Sequence, residues 1–363
     1  MGVKIGIYKV SENDYKKLRD LAAKIDDKKE ELSAYEEKQL ERSINVCKGN
    51  VLLAEQMLRK QITRKMIIKN EWTLEKIAKL KNITVEELKN LKELDLSGTG
   101  ISDISALKEL TNLECLKLYR TQVSDISALK NLKNLRELDL GGTQVSDISA
   151  LKELKNLSKL DLRFNTNLSD ISALKELKSL RELYLGGTNV TDISALKELK
   201  NLSVLDLSRT QVTDISVLKE LKDLRVLNLS GTKVSDISAL KELKNSRELN
   251  LSGTKVSDIS ALKELTNLRE LELYGTQITD ISALKKLKNL SVLNLSGTKV
   301  SDISALKELK NLRRLNLSRT QVIDISALKE LKHLRELDLS DTKVSDRQKY
   351  EFKKALPTCH IYN

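Results

Sequence analysis

The chain has 363 residues, with 64 Lys and Arg against 52 Asp and Glu and a formal net charge of +12. One proline, two histidines, three cysteines and 3% aromatic residues are skewed values for that length, and they point to the copying of one short unit rather than to a conventional globular centre. Cys47, Cys115 and Cys359 are too few and too far apart for a disulfide framework or zinc site, no apolar run reaches membrane length, and residues 1–10 lack a secretory apolar stretch, so a cytoplasmic location is expected.

Residues 1–72 carry no repeat and read as a helical region. After a short apolar start, Ser11 is expected to cap a helix through Tyr15, Leu18, Leu21, Ala22 and Ile25. A second helix is expected near 33–47, Gly49 and Asn50 break the chain, and a third runs from Val51 through Leu58 into the basic residues Arg59, Lys60, Arg64, Lys65 and Lys69. Those cations support an alternative function, a nucleic-acid-associated adaptor, because clustered Lys and Arg neutralise phosphates. Elsewhere the charges alternate in sign, as in Leu-Lys-Glu-Leu at 107–110, 151–154 and 196–199, which describes a solvated face rather than a phosphate track.

Residues 73–87 fit two patterns. They are spaced as a helix-turn-helix, with Ala78 at the packed position and Asn82 where a left-handed turn residue is needed. They equally suit a pair of cap helices, and that reading is preferred because the second helix runs on towards Leu91 and Leu94 and could not enter a groove. The chain beyond Leu88 also needs a cover for its first exposed apolar face.

From Leu88 onward leucines recur at 110, 132, 154, 177, 199, 221, 243, 265, 287, 309 and 331, giving twelve copies over residues 88–346. Ten of the eleven steps are 22 residues, and the step from Leu154 to Leu177 holds one more. Such a step is one coil of a solenoid. In the third copy the alternation around Leu138 and Leu140 marks a short strand, Gly141 and Gly142 turn the chain, and Val145 returns inward. Asp147 then stands where its carboxylate can accept from free N–H groups of a short 3₁₀ turn through Ala150 and Leu151.

The series Leu-x-x-Leu-x-Leu-x-x-Thr-x-Val followed by Ser-Asp-Ile-Ser-Ala-Leu resembles the 22-residue leucine-rich repeat of the bacterial internalin-like class. The resemblance implies an α/β solenoid: a leucine-rich-repeat horseshoe with a concave parallel β-sheet, convex 3₁₀ turns, a helical N-terminal region and a C-terminal cap. It also implies the same helical cap at 73–87. Family repeats usually carry Asn in the ninth place; here Thr99, Thr121, Thr143 and their equivalents stand there, and Asn165 alone keeps the amide, so a thinner ladder is expected. Alanines such as Ala106, Ala128 and Ala150 replace the family's frequent proline. Ser246 occupies the place of Leu224 and Leu268 and should leave a packing defect in the eighth coil, costing about 2–4 kcal/mol relative to leucine.

Residues 347–363 leave the repeat. A helix over about 347–356 through Tyr350 and Phe352, stopped by Pro357, and a last strand at 359–362 make a C-terminal cap. Cys359 and His360 are adjacent, so in a strand they point to opposite faces and cannot act together; Cys359 reads as a buried cap residue.

No phosphate loop, dinucleotide fingerprint, nucleophile elbow or metal-spaced histidine set occurs, and no cofactor, metal or enzymatic activity is expected. Function then falls to the outward positions of an inner face about 50 Å long. Most copies fill these with small or acidic residues. The exceptions are Cys115, Lys117, Tyr119 and Arg120 in the second copy, Lys159, Arg163 and Phe164 in the fourth, and Tyr184 in the fifth, grouped around a hollow expected at Gly141 and Gly142. Aromatic and arginine side chains dominate binding energy, so a non-enzymatic scaffold docking another protein on these residues is the leading expectation. Arg209, Tyr274 and Arg319 are isolated exceptions, drift within a duplicated array is the competing explanation, and the oligomeric state stays open.

Overall fold

The structure, a computed structural model, describes residues 2–5, 8–11, 15, 16, 18 and 72–363. The chain divides into two compact units, Met1–Glu71 and Trp72–Asn363. In the first, β1 (Gly2–Ile5) and β2 (Tyr8–Ser11) pair antiparallel, with Gly2 opposite Ser11, so the short apolar start is a hairpin. Tyr15, Lys16 and Leu18 are helical; the helices expected over 33–47 and 51–58 and the basic stretch 59–69 lie outside the described residues.

The second unit opens with two helices. Thr73 caps α1 (Leu74–Lys81) by accepting from the Lys76 N–H, and Asn82 ends it at φ 56. Thr84 and Glu87 form a reciprocal capping box on α2 (Val85–Asn90), satisfying two donors that a helix start leaves free. Leu74, Ile77, Ala78 and Leu88 belong to the same buried cluster as Leu94 and Leu96, so both helices rest their apolar faces on the first coil.

Thirteen strands then form one parallel sheet, each pairing with the next in sequence. They are β3 (Glu93–Asp95), β4 (Cys115–Lys117), β5 (Glu137–Asp139), β6 (Lys159–Asp161), β7 (Glu182–Tyr184), β8 (Val204–Asp206), β9 (Val226–Asn228), β10 (Glu248–Asn250), β11 (Glu270–Glu272), β12 (Val292–Asn294), β13 (Arg314–Asn316), β14 (Glu336–Asp338) and β15 (His360–Tyr362). The central leucine of each repeat strand is buried and its two neighbours face outward, the period-2 arrangement. The extra residue before Leu177 does not disturb the pairing, since Asp161 still lies opposite Tyr184. A 3₁₀ turn comes after each of the first eleven strands, from Ser105–Glu109 to Ser326–Glu330. Asp147 accepts from the Ser149 N–H at 2.8 Å, and the same bond closes every one of these turns.

The ninth-place threonines are nearly all buried, and they bond within their own coil: Thr121 Oγ1 donates to Leu118 O at 2.7 Å. At this place Thr143, which also donates across to the next coil, meets Asn165, the one amide that bridges coils. Its amide donates to Leu140 O at 2.8 Å and to Leu162 O at 3.0 Å, while its oxygen accepts from Thr143 Oγ1 and the Val145 N–H. At the far end Ser345 caps α3 (Asp346–Ala355), and Phe352, Leu356 and Cys359 are buried over the last coil. β15 extends the sheet beside β14, which leaves Cys359 inside and His360 exposed.

Candidate binding surface on the concave sheet

In-register parallel pairing carries each outward residue to within about 4.8 Å of its counterpart in the next copy. It therefore sets Cys115, Glu137, Lys159 and Glu182 in one row and Lys117, Asp139, Asp161 and Tyr184 in the next. Between these rows lies an open hollow of about 330 Å³. Lys117, Lys159, Arg163 and Tyr184 line it together with Cys115, Glu137, Asp139 and Asp161. Four of the seven expected site residues are thus gathered around one cavity.

Their side chains are held by carboxylates. Arg163 Nε donates to Asp161 Oδ2 at 2.9 Å, and its guanidinium carbon lies 5.0 Å from the Tyr184 ring centroid. Tyr184 donates its hydroxyl to Glu182 Oε2 at 3.0 Å. Lys117 Nζ sits 2.6 Å from Glu93 Oε1 and Lys159 Nζ 3.5 Å from Glu182 Oε2. Burial, then the bond to Glu182, pushes the Tyr184 phenol up to about 12. The bond to Asp161 raises Arg163 further, so this cation is permanent. Asp139 is raised, first by burial and also by the neighbouring Asp161 charge, although it accepts from the Gly141 N–H. Burial likewise raises the Cys115 thiol, which keeps it protonated and a poor nucleophile. Among the described residues no three His, Cys, Asp or Glu side chains gather closely enough to hold a metal ion.

The other three expected residues, Tyr119, Arg120 and Phe164, do not line the cavity; they stand along the turns that leave the strands. Arg120 and Phe164 have φ of 54° and 62°, at a place where every copy is left-handed and seven of the twelve use glycine. Phe164 is 53% exposed, and its ring edge lies 3.0 Å from where a Cβ on Gly187 would be. The left-handed turn thus tips a large side chain onto the next copy, where the missing Cβ of Gly187 leaves room for the ring. Arg120 does the same over Gly142 and also stacks on Tyr119 at 5.1 Å.

The expected hollow at Gly141 and Gly142 is therefore absent: Tyr119, Asp139 and Asp161 fill the space over Gly141, and Arg120 covers Gly142. The cavity instead opens over the strands themselves. Glu182, and Asp161 as the anchor of Arg163, belong to the site although their residue types do not stand out in the repeat. The one available signal was the repeat register, with the single 23-residue step counted, which places Glu182 beside Lys159 and Asp161 beside Tyr184. Arg319 pairs with Asp341 at 3.3 Å, and Tyr274, 49% exposed, covers Gly297 four copies beyond Tyr184.

A sequence profile described as Leucine Rich repeats (2 copies) matches residues 89–131, 133–176, 178–220, 247–286, 266–308 and 310–347. An internalin (InlF) of Listeria monocytogenes is similar at 30% identity and TM-score 0.70, over 80% of this chain and 94% of that one. A leucine-rich-repeat protein of Leptospira interrogans is similar at 25% identity and TM-score 0.61, over 81% of this chain and 94% of that one. The Arabidopsis receptor kinase HAESA, solved in complex with the peptide hormone IDA and the co-receptor SERK1, shares the fold at 24% identity and TM-score 0.62, over 70% of this chain and 46% of that one. No curated protein sequence matches the chain.

Proposed function

The chain belongs to the leucine-rich-repeat family, in its bacterial internalin-like class, and from that membership we propose that it is a non-enzymatic scaffold that docks another protein on its concave sheet over β4–β7. The observation that carries this reading is the Arg163–Tyr184 stack beside an open cavity, fixed from below by Asp161 and Glu182. An aromatic ring and a guanidinium already held in place lose little entropy when a partner covers them, which is how a small group of residues comes to dominate affinity. Phe164 and Tyr119 extend the contact along the trailing turns. The basic residues 59–69 gain no support for nucleic-acid binding from the fold or from the relatives.

Affinity capture with the full chain, then titration of the captured partner, tests the proposal. Tyr184→Ala or Phe164→Ala should weaken binding by about 1–3 kcal/mol with an unchanged unfolding midpoint, and Tyr274→Ala should bind as the parent does. Loss of binding in Tyr274→Ala alone would move the site away from β4–β7.

A further inference from the structure

A second surface lies on the opposite margin of the sheet, where the chain enters the strands. The residue just before each of the twelve repeat strands β3–β14 is Arg, Ser, Lys or Glu, and Arg225, Arg247 and Arg269 are the one run of three consecutive arginines there. They share a groove of about 280 Å³ with Asn245, Asn267 and Asn289. The arginine ion pairs among the described residues are Arg136–Glu114, Arg163–Asp161 and Arg319–Asp341, so none of these three has a carboxylate partner there. The run is bounded on both sides: Ser203 Oγ turns inward to donate to Arg181 O and Ser291 Oγ to Arg269 O, both at 3.1 Å. Each asparagine spends one N–H on a carbonyl of the preceding copy, Asn245 on Lys222 O and Asn267 on Lys244 O at 3.0 Å, which holds the amides in place and leaves their oxygens as acceptors.

An independent departure from the repeat falls at the same place. Ser246, buried where other copies carry leucine, lies in the chain between Asn245 and Arg247, which both line the groove. The outer ladder of Lys–Glu pairs is interrupted between Glu242 and Lys288, as it also is between Glu109 and Lys133. Breaks in a repeat's own packing rule are expected where function has been favoured over stability, and this one falls beside a set of unpaired cations.

We propose that this groove docks an acidic protein segment presenting carboxylates one helical turn apart. The strands that these arginines lead into are spaced about 4.8 Å apart, close to the roughly 5–6 Å between i and i+4 positions on a helix, and each guanidinium offers a planar fork that fits a carboxylate. A nucleic acid fits less well: Asp223, Glu248 and Glu270 adjoin the arginines and oppose a continuous polyanion, and no aromatic side chain lines the groove to stack a base. A helix can instead meet Glu248 and Glu270 with its own lysines or amides.

The test uses the full chain and a fluorescent helical peptide of about 15 residues with Glu at three positions four apart, beside a twin with Gln at those positions. Anisotropy should show salt-sensitive binding of the Glu peptide alone. Arg247→Gln should weaken it about tenfold, while Arg313→Gln, in the same row but outside the groove, and Tyr184→Ala, on the concave face, leave it unchanged. Equal unfolding midpoints for the two arginine variants exclude a folding effect. The proposal is overturned by equal binding of the two peptides, by equal loss in Arg247→Gln and Arg313→Gln, by no binding up to millimolar peptide, or by a DNA duplex that binds more tightly and is sensitive to Arg247→Gln. Because Tyr184 takes no part in the groove, failure here leaves the concave-face reading standing, and the reverse also holds.

Discussion

Ser246 shows how much one side chain counts in a repetitive core. Its neighbours in the column, Leu224 and Leu268, are fully buried, and Ser246 itself is 2% exposed, so a hydroxyl and a smaller volume occupy a leucine-shaped place. Restoring the missing carbons by Ser246→Leu should stabilise the eighth coil by about 2–4 kcal/mol, because the transfer and cavity terms both favour the larger side chain. In a solenoid the weakest neighbour contact limits cooperativity, so the unfolding midpoint should rise and the transition sharpen. Thermal unfolding monitored by circular dichroism checks this; an unchanged or lower midpoint would mean that the coil has closed around serine. Asn165 is the opposite case, since one amide does the inter-coil bonding that a threonine hydroxyl, spent on its own coil, does not. The departure of Ser246 from the leucine column is plain in the sequence, and so is the singular Asn165. Their partners are not, because a hydrogen bond between residues 25 apart requires the coil pitch to be known.

The outer turns are the elements most exposed to pH. The carboxylates of Asp125, Asp170, Asp214, Asp258 and Asp302 lie below their ordinary value of 3.8, first because each accepts the N–H of the serine two residues on. A group whose folded value is depressed stabilises the fold above its unfolded value and loses that contribution as pH falls through the folded one. Asp139 works in the opposite direction, since burial raises it and the native state gains protons first, but it is one group against five. The array should therefore lose stability as pH drops below about 4, and a thermal midpoint that stays level from pH 5 to pH 2 would contradict the role given to these turns. The aspartate–serine spacing made the turn readable in advance. The left-handed conformation at the third residue after each repeat strand was not readable where Arg120, Phe164, Arg209, Arg319 and Asp341 stand, because only seven copies carry the glycine that signals it.

At the scale of the whole molecule the array has two apolar ends, and each is closed by α-helical structure: α1 and α2 over Leu94 and Leu96, α3 and β15 over the last coil. Removing residues 1–71 leaves the unit Trp72–Asn363 with both closures, and light scattering should find it monomeric. Removing residues 1–87 takes away Leu74, Ile77 and Ala78 and should cause self-association through the uncovered coil; a monomer there would mean that the two helices are not a cap. Sequence alone determined the solenoid, its twelve copies, the buried columns and the two ends, because a 22-residue period fixes which side chains must face inward in every coil. It also supplied the types of residue that stand out on the surface. Only the tertiary structure decided how those residues group: coil stacking sets Lys117, Lys159, Arg163 and Tyr184 around one cavity, sends Tyr119, Arg120 and Phe164 to the trailing edge, and brings Arg225, Arg247 and Arg269 into a groove. The physical reason is that neighbours across a parallel sheet are a full repeat apart in the chain, so their meeting depends on strand register, turn handedness and rotamer rather than on local pattern.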